Sequence, residues 1–389
     1  MIVVGGNPGW QSAKMVWVAA GGTAGHLLPA LGVAEALVRS GVSRESIGFI
    51  GSTRLLEAQI LAPYGFELMQ LDVSGLVRKV SLANLAGLWR LLLATFVLFK
   101  LMRRTRPKVV VGFGGYFSFP PIVVARLSGI PSVVVETNAV AGLANRLSAI
   151  LGTRAMASSS SSGIRNAEVI GVPLRPEISQ WDKDQSDLDS FRKTHGIGQD
   201  SLLICVFGGS LGSFSINSAI VDMLKSWHGV QDREVVIYHV IGSRDFPRFK
   251  DVAEQLSKSD LPIRYLFSEF DPEIFKAIAA CDLVISRAGS GTLAELGYFG
   301  KASILIPLPN APGDHQSKNA RTLESLGAAR VILDDELNGE RLTKEIEAIT
   351  RAGEVLKEMS SRSRAGFRGD GASKVSDEIL ILMRRQGGD

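Results

Sequence analysis

With 389 residues the chain exceeds one typical domain and has room for two, each large enough to bury a core. Hydrophobic residues make up 46% of it, and 43 Lys and Arg against 39 Asp and Glu leave a formal charge of only +4, which argues against a general nucleic-acid binder. The two cysteines, Cys205 and Cys281, each fall in an apolar run, so a disulfide framework or a metal site is not expected and a reducing compartment is implied.

Residues 1–14 lack the basic and apolar segments of a signal peptide, so the chain is expected to stay in the cytoplasm. Met15 to Ala20 is an apolar run, followed by Gly21-Gly-Thr-Ala-Gly-His26 and by an apolar helix start at Leu27: strand, glycine loop, helix. The glycines at 21, 22 and 25 do not form the dinucleotide GxGxxG pattern, so no NAD is implied. The same shape returns as Leu202 to Phe207, Gly208-Gly-Ser-Leu-Gly212 and Ser213 to Ile220. Two halves that open alike predict two facing Rossmann-like α/β domains with parallel sheets, their ligands in the cleft at the carboxyl ends of the strands. His26, at the end of the first loop, is either a proton acceptor or phosphate ligand near neutral pH, or a histidine that caps the helix.

From Asn84 to Arg106 the chain reads NLAGLWRLLLATFVLFKLMRRTR. Arg90 and Lys100 interrupt it, and Leu91 to Phe99 falls far short of the roughly 20 residues a membrane span needs. Two readings stand: a helix lying in a membrane interface, or an ordinary helix packed on the sheet. In the first, Trp89, Arg90, Lys100, Arg103, Arg104 and Arg106 form its rim, and Arg78 and Lys79 extend the positive edge. A third glycine loop, Gly112 to Gly115, follows the run Val109 to Val111, and Ser132 to Asn138 is a strand with a polar end, where Asn138 is by default a cap. The serines from Ser158 to Ser162 read as flexible loop. Asp182-x-Asp184 and Asp187-x-Asp189 mimic a metal-binding DxD but follow no apolar strand, so they are read as solvated linker charge.

In the second half Asp282 to Ser286 predicts a strand, Arg287-Ala-Gly-Ser-Gly291 a turn, and Thr292 to Tyr298 a helix. A helix start reached through glycines offers backbone N–H groups and the positive end of the peptide dipoles, a seat for a diphosphate that needs no metal. Glu295, three residues after Thr292, is either an acceptor for both hydroxyls of a ribose or the second half of a capping box. The next loop leads into Asp314-His-Gln-Ser-Lys-Asn-Ala320, a second polar helix start that makes the first into a lined pocket. Beyond Glu340 the pattern is helical.

The run from Arg287 to Glu295, with Asp314-His-Gln316 and Asn319-Ala320, resembles the donor-sugar signature of the family-28 GT-B glycosyltransferases. That family includes the membrane-associated N-acetylglucosaminyltransferases that convert lipid I to lipid II in bacterial cell-wall synthesis. The resemblance covers nearly all of residues 15–380. It implies a GT-B fold with a deep interdomain cleft: residues 1–174 for the acceptor and for membrane docking, with the C-terminal helix 367–389 packing back on them, and residues 175–366 for UDP-GlcNAc. It also places the donor. The diphosphate falls to Ser210 and the helix start Ser290, Gly291, Thr292, Leu293 and Ala294, the ribose to Glu295, the uracil to Arg175 and Asp271, and the sugar to Gln316, with Asn319 beside it.

The acceptor implied is lipid I, its diphosphate at Gly22, Thr23, Ala24 and Gly25 and at Gly114 and Gly115, in a segment similar to the family's GxGGYxSxP. His26, Glu136 and Asn138 are the implied catalytic residues. The family writes His-Glu-Gln-Asn where this chain has Val135-Glu136-Thr137-Asn138, so the first and third positions depart from it. Gly171-Val-Pro-Leu-Arg175 resembles the hinge segment GNPVR. The implied activity is inverting transfer of GlcNAc to the C4 hydroxyl of lipid I, with no metal cofactor, by a protein held peripherally at the cytoplasmic face of the membrane by anionic lipids. The alternative is another GT-B UDP-sugar enzyme, a lipid glycosyltransferase or a UDP-GlcNAc 2-epimerase.

Overall fold

The computed structural model describes residues 13–53, 55–71, 82–181, 185–230, 233–351 and 353–386. They form two compact units, one within Met1–Ser179 and Arg368–Asp389, the other within Gln180–Phe367.

The first unit is built on β1 (Val16–Ala19), β2 (Ile47–Ser52), β3 (Glu67–Leu71), β4 (Val109–Gly112), β5 (Ser132–Glu136), β6 (Arg154–Ala157) and β7 (Glu168–Val169). All pair in parallel, in the order β3-β2-β1-β4-β5-β6-β7. The central strands are apolar on both faces because helices cover both. Val16 and Val18 face one layer, with Leu27 and Leu31 of α1 (Ala24–Arg39). Trp17 and Ala19 face the other, with Leu98 and Met102 of α3 (Leu82–Thr105) and Ile122 of α4 (Phe119–Leu127). Three shorter helices, α2 (Leu55–Leu61), α5 (Leu143–Ile150) and α6 (Pro176–Ser179), follow strands or close the unit.

The second unit carries β8 (Leu202–Phe207), β9 (Val235–Val240), β10 (Ile263–Ser268), β11 (Leu283–Ser286), β12 (Ala302–Leu305) and β13 (Ala329–Val331), in parallel order β10-β9-β8-β11-β12-β13. Its helices are α7 (Gln185–Thr194), α8 (Phe214–Ser226), α9 (Phe246–Lys258), α10 (Ile274–Ala280), α11 (Ser290–Phe299), α12 (His315–Ser325), α13 (Gly339–Thr350) and α14 (Glu354–Gly366). Trp181 packs edge-on against Phe275 and Phe299, which fixes the entering chain to this unit.

The last helix, α15 (Gly371–Arg385), belongs to the first unit. The Asp370 carboxylate caps it by accepting the Ala372 N–H at 2.9 Å, and the same oxygen accepts the Leu174 N–H at 2.9 Å. Ala372, Val375, Ile379 and Met383 recur at helical spacing and are buried in the cluster that contains Leu27 and Leu31. Each fully buried aliphatic side chain there contributes about 1.5–3 kcal/mol, ample to hold a helix of this length in place.

In each sheet the strand order reverses once, between β1 and β4 and again between β8 and β11. Crevices at the carboxyl ends of parallel strands open at such reversals, so each unit has one predicted ligand position, and the glycine loops lie there.

Candidate active site

In the first unit the loop after β1 enters α1 through Thr23, which is extended (φ −150°, ψ 154°) and makes no side-chain cap. The N–H groups of Ala24 and Gly25 therefore have no acceptor within the helix and point toward the crevice. His26 sits in the first turn of α1, and Thr23, not His26, holds the cap position. Its Nδ1 lies 3.3 Å from the Gly21 carbonyl oxygen and 3.3 Å from Thr23 Oγ1. The loop after β4 turns on Gly114 (φ +92°) and Gly115 (φ +72°), both left-handed. A Cβ on Gly114 would stand 3.1 Å from Asn145 Nδ2 and 3.5 Å from His26 Nε2, so the β1 and β4 loops and α5 close on one another there.

Glu136, at the end of β5, is 3% exposed, and four N–H groups converge on its carboxylate. Oε1 accepts from the Asn138 backbone at 2.9 Å and the Asn138 side chain at 3.0 Å; Oε2 accepts from Asn145 Nδ2 at 2.8 Å and the Gly142 N–H at 3.1 Å. Those four bonds fill the acceptor capacity of a carboxylate, which suits an anchor for this loop better than a proton acceptor. The serine run is a correction to the sequence reading. It forms a short turn, Ser160–Ser162, that carries Ser158 Oγ to the Thr137 carbonyl at 2.9 Å and Ser161 Oγ to the Ala139 carbonyl at 3.3 Å. Hydroxyls that satisfy the carbonyls of an adjoining loop are structural, whatever their composition suggests.

In the second unit α11 begins at Ser290, two residues before the predicted start, and its cap is Gly289, with no side-chain bond. Thr292 is thus in the third helical position and does not close a capping box with Glu295, which lies past the first turn on a half-buried face. The helix ladder opens with the Leu293 N–H donating to the Gly289 carbonyl at 3.0 Å; the N–H groups of Gly291 and Thr292 have no acceptor within the helix. Ala294 packs inward, and Asn319 of α12, 3% exposed, donates to the Ala288 carbonyl at 3.2 Å and so fixes α12 to this loop. Gln316 accepts the Leu308 N–H through Oε1 at 3.0 Å.

The loop after β8 turns on Gly209 (φ +96°) and Gly212 (φ +91°), and Ser210 at its tip is exposed. A Cβ on Gly212 would meet the Ile241 carbonyl at 2.3 Å, so this loop is backed by the one after β9, where Ser243 donates to the Ser210 carbonyl. Asp271 accepts the Tyr238 hydroxyl at 2.9 Å and the Glu273 N–H at 2.8 Å. Burial first, and then the Asp271 carboxylate, push the Tyr238 hydroxyl above the usual tyrosine range, so the proton stays on Tyr238. Arg175 is part of the first unit, where its carbonyl accepts from Ile178 and Ser179 as α6 begins.

Two family models match the chain: the glycosyltransferase family 28 N-terminal domain over residues 16–157 and the family 28 C-terminal domain over residues 203–375. A relative from Moorella thermoacetica, named UDP-N-acetylglucosamine--N-acetylmuramyl-(pentapeptide) pyrophosphoryl-undecaprenol N-acetylglucosamine transferase, is 37% identical over 381 residues, 96% of this chain and 100% of the relative. The chain belongs to glycosyltransferase family 28. Among solved structures it is similar to Acinetobacter baumannii MurG, with a TM-score of 0.76 and 26% identity over 95% of this chain and 99% of that one. It shares the fold alone with the Neisseria meningitidis UDP-GlcNAc 2-epimerase, at a TM-score of 0.61 and 14% identity over 94% of this chain and 100% of that one.

The helix α3 has one buried and one exposed apolar face. Ala94, Leu98 and Met102 are buried against the sheet, while Leu92 and Phe96, one turn apart, are 55% and 56% exposed. Lys100 lies over the Phe96 ring at 4.4 Å, and Arg103 and Arg104 are exposed beside it. Phe99 packs partly against the buried cluster and is not part of the outer face. Leu127 of α4 and Leu143, Leu147 and Ile150 of α5 are exposed as well. Arg78 and Lys79, like Asp182 and Asp184, lie outside the described residues, and Trp89, Arg90 and Asp187 lie where only the backbone is described. No helix among the described residues is long and apolar enough to cross a membrane, and no group of three or more His, Cys, Asp or Glu among them is placed to hold a metal.

Sequence reasoning missed two groups, one in each unit. Arg287 reaches past its own loop to Asp334, to the Ile306 and Pro307 carbonyls and to Ser215, and nothing in its spacing foretold those partners. Glu57 of α2 lies buried under the β1 loop. The signal available for it was Gly51, a glycine inside an otherwise apolar strand, which marks a close approach by another group.

Proposed function

We propose that this chain transfers GlcNAc from UDP-GlcNAc to the C4 hydroxyl of the MurNAc of lipid I, with inversion, forming lipid II. The observation that carries the reading is the pair of helix starts without a side-chain cap, one at each sheet reversal, in a family-28 chain whose relatives are named along their full length for this transfer.

On the second unit the donor diphosphate rests on the Gly291 and Thr292 N–H groups, beside Ser290, Leu293 and Ala294, with the Ser210 hydroxyl as a further donor. Glu295 takes the ribose hydroxyls, and Gln316, held by Leu308, turns its amide toward the sugar. The backbone around Asp271 takes the uracil. On the first unit the lipid I diphosphate rests on Thr23, Ala24 and Gly25 and on the Gly114–Gly115 turn, with His26 and Asn145 beside it. His26 Nε2 takes the proton from the acceptor hydroxyl as its oxygen bonds to C1 of GlcNAc; the bond from C1 to the β-phosphate oxygen breaks and UDP departs. Glu136 and Asn138 shape the floor of that site, since each is committed to the other.

The outer face of α3 supplies the approach to the lipid. Leu92 and Phe96 enter the headgroup boundary, and Lys100, Arg103 and Arg104 meet anionic headgroups, at about 1 kcal/mol for each charge near the surface. This makes the protein peripheral, at the cytoplasmic face where both substrates are found.

The test is transfer of labelled GlcNAc from UDP-GlcNAc to a short-chain lipid I analogue, with a second assay for release of UDP and ManNAc from UDP-GlcNAc alone. Labelled disaccharide-lipid is the expected product. Its absence, with UDP and ManNAc formed instead, would replace the reading with the epimerase one.

A further inference from the structure

Glu57 lies beneath the β1 loop, 2% exposed. Its Oε1 accepts the Gly22 N–H at 2.7 Å and the Ser52 hydroxyl; its Oε2 accepts the Ser52 N–H at 2.5 Å. Space for the carboxylate comes from two glycines. A Cβ on Gly51 would stand 2.1 Å from Oε2, and one on Gly21 would stand 3.1 Å and 3.2 Å from the two oxygens. Neither glycine has a left-handed backbone, so each is there for room and not for its turn. A buried carboxylate that forces glycine at two positions is an expensive way to hold a loop, and a hydroxyl or amide would serve for that alone.

The Gly21 carbonyl and the Gly22 N–H belong to one planar trans peptide group, so they point in opposite directions. Glu57 binds the N–H end, and the carbonyl end lies 3.3 Å from His26 Nδ1. A carbonyl oxygen can only accept, so in this contact Nδ1 carries the proton, shared with Thr23 Oγ1, and Nε2 keeps its lone pair. Nε2 is the nitrogen on the side of Gly114. The negative charge on Glu57 polarises the intervening peptide, and in a buried setting each bond of such a chain strengthens the next.

We propose that Glu57 is a positioning residue for the transfer, acting through the peptide group between Gly21 and Gly22 to fix the tautomer and direction of His26. It resembles the carboxylate behind an imidazole in other acid–base sites, with one peptide group inserted between the two. The same bond turns the Gly22 N–H inward, so the donors left to the acceptor's diphosphate begin at Thr23. This inference rests on the reading of His26 as the base.

The experiment is a cycle of Glu57→Gln, His26→Ala and the double variant, measuring kcat, KM for the lipid I analogue, Kd for UDP-GlcNAc and melting temperature. Gln keeps the shape but loses the charge and turns an N–H toward a donor. Glu57→Gln is expected to lower kcat roughly 10- to 100-fold with UDP-GlcNAc Kd within about twofold, and to have no further effect on kcat in the His26→Ala background. Equal losses in both backgrounds, or a folded Glu57→Gln protein with full kcat, would overturn the proposal. Full kcat in His26→Ala alone would instead remove the base assignment, a failure the cycle reports separately. Should Glu57→Gln not fold, Glu57→Asp keeps the charge and draws it back from Gly22, and the same non-additive loss is expected of it.

Discussion

Arg287 and Asp334 pair at the carboxyl end of the second sheet, and the Ser215 hydroxyl donates to the same Asp334 oxygen at 2.6 Å. The guanidinium also donates to the carbonyls of Ile306 and Pro307 and to Ser215. One side chain thus ties together the segments that follow β8, β11, β12 and β13, and it fixes the turn that leads into α11. Lysine cannot reproduce a planar fork that serves so many acceptors. Arg287→Lys is expected to weaken UDP-GlcNAc binding by about 1.5–3 kcal/mol, the worth of hydrogen bonds to a charged group, and to lower the melting temperature modestly. Calorimetric binding at the wild-type value would show that the clamp does not shape the donor seat.

Glu295→Gln separates ligand binding from helix capping. Because Gly289 caps α11 and Glu295 lies beyond its first turn, removing the charge is expected to leave the melting temperature nearly unchanged. Affinity for UDP-GlcNAc should fall by about 1.5–3 kcal/mol, a tenfold loss or more. Unchanged affinity with a lower melting temperature would count against a ribose contact.

What the sequence carried well was local. The apolar runs that became β8 and β11 and the glycine loops after them are contiguous signals, and the helices that follow keep a clear period. The reversal of strand order that makes those loops neighbours is a long-range fact, visible only in the pairing of β8 with β9 and β11. Gly289 escaped notice as a cap because a glycine cap has no side chain to announce it, and Thr292 stood at a plausible spacing for the role. Ser158 to Ser162 misled for the opposite reason, since composition does not reveal that serine hydroxyls will meet particular carbonyls. In α3 the segment was legible but the phase was not: Leu98 and Phe96 look alike in sequence and face opposite ways.

His239 offers a pH test of the second unit. It is buried near the carboxyl end of β9, with Nδ1 2.9 Å from the Tyr265 hydroxyl and Nε2 3.0 Å from Asn217 Oδ1, while Asn217 Nδ2 donates to the Ile241 carbonyl and to Asp245. Loss of solvation lowers its pKa to about 3 from the usual 6.5. As pH falls below the unfolded value the unfolded chain takes up a proton that the folded chain refuses, so this contribution is whole above pH 6.5 and is lost as pH drops toward 3. The slope is about 1.4 kcal/mol per pH unit. His239→Gln should flatten the stability profile by about one proton between roughly pH 6 and pH 4.5, as read by urea unfolding. Parallel profiles for the two proteins would mean that His239 is protonated in the fold.

The two faces of α3 make the membrane reading testable with three side chains. Leu92 and Phe96 are exposed, so a charge at either site costs little in water and loses its favourable surroundings only in lipid. Leu92→Asp with Phe96→Asp is expected to release the protein from anionic vesicles with little change in melting temperature. Phe99 leans on the cluster that contains Leu98 and Met102, so Phe99→Asp places an unpaired charge against the core and is expected to cost several kcal/mol of folding stability. Vesicle binding by the unaltered protein should weaken as salt rises, because Lys100, Arg103 and Arg104 act on the surface within a Debye length of about 8–10 Å. If the Leu92 and Phe96 double variant bound vesicles as before, the outer face of α3 would be an ordinary exposed apolar surface and the lipid would be met elsewhere on the first unit.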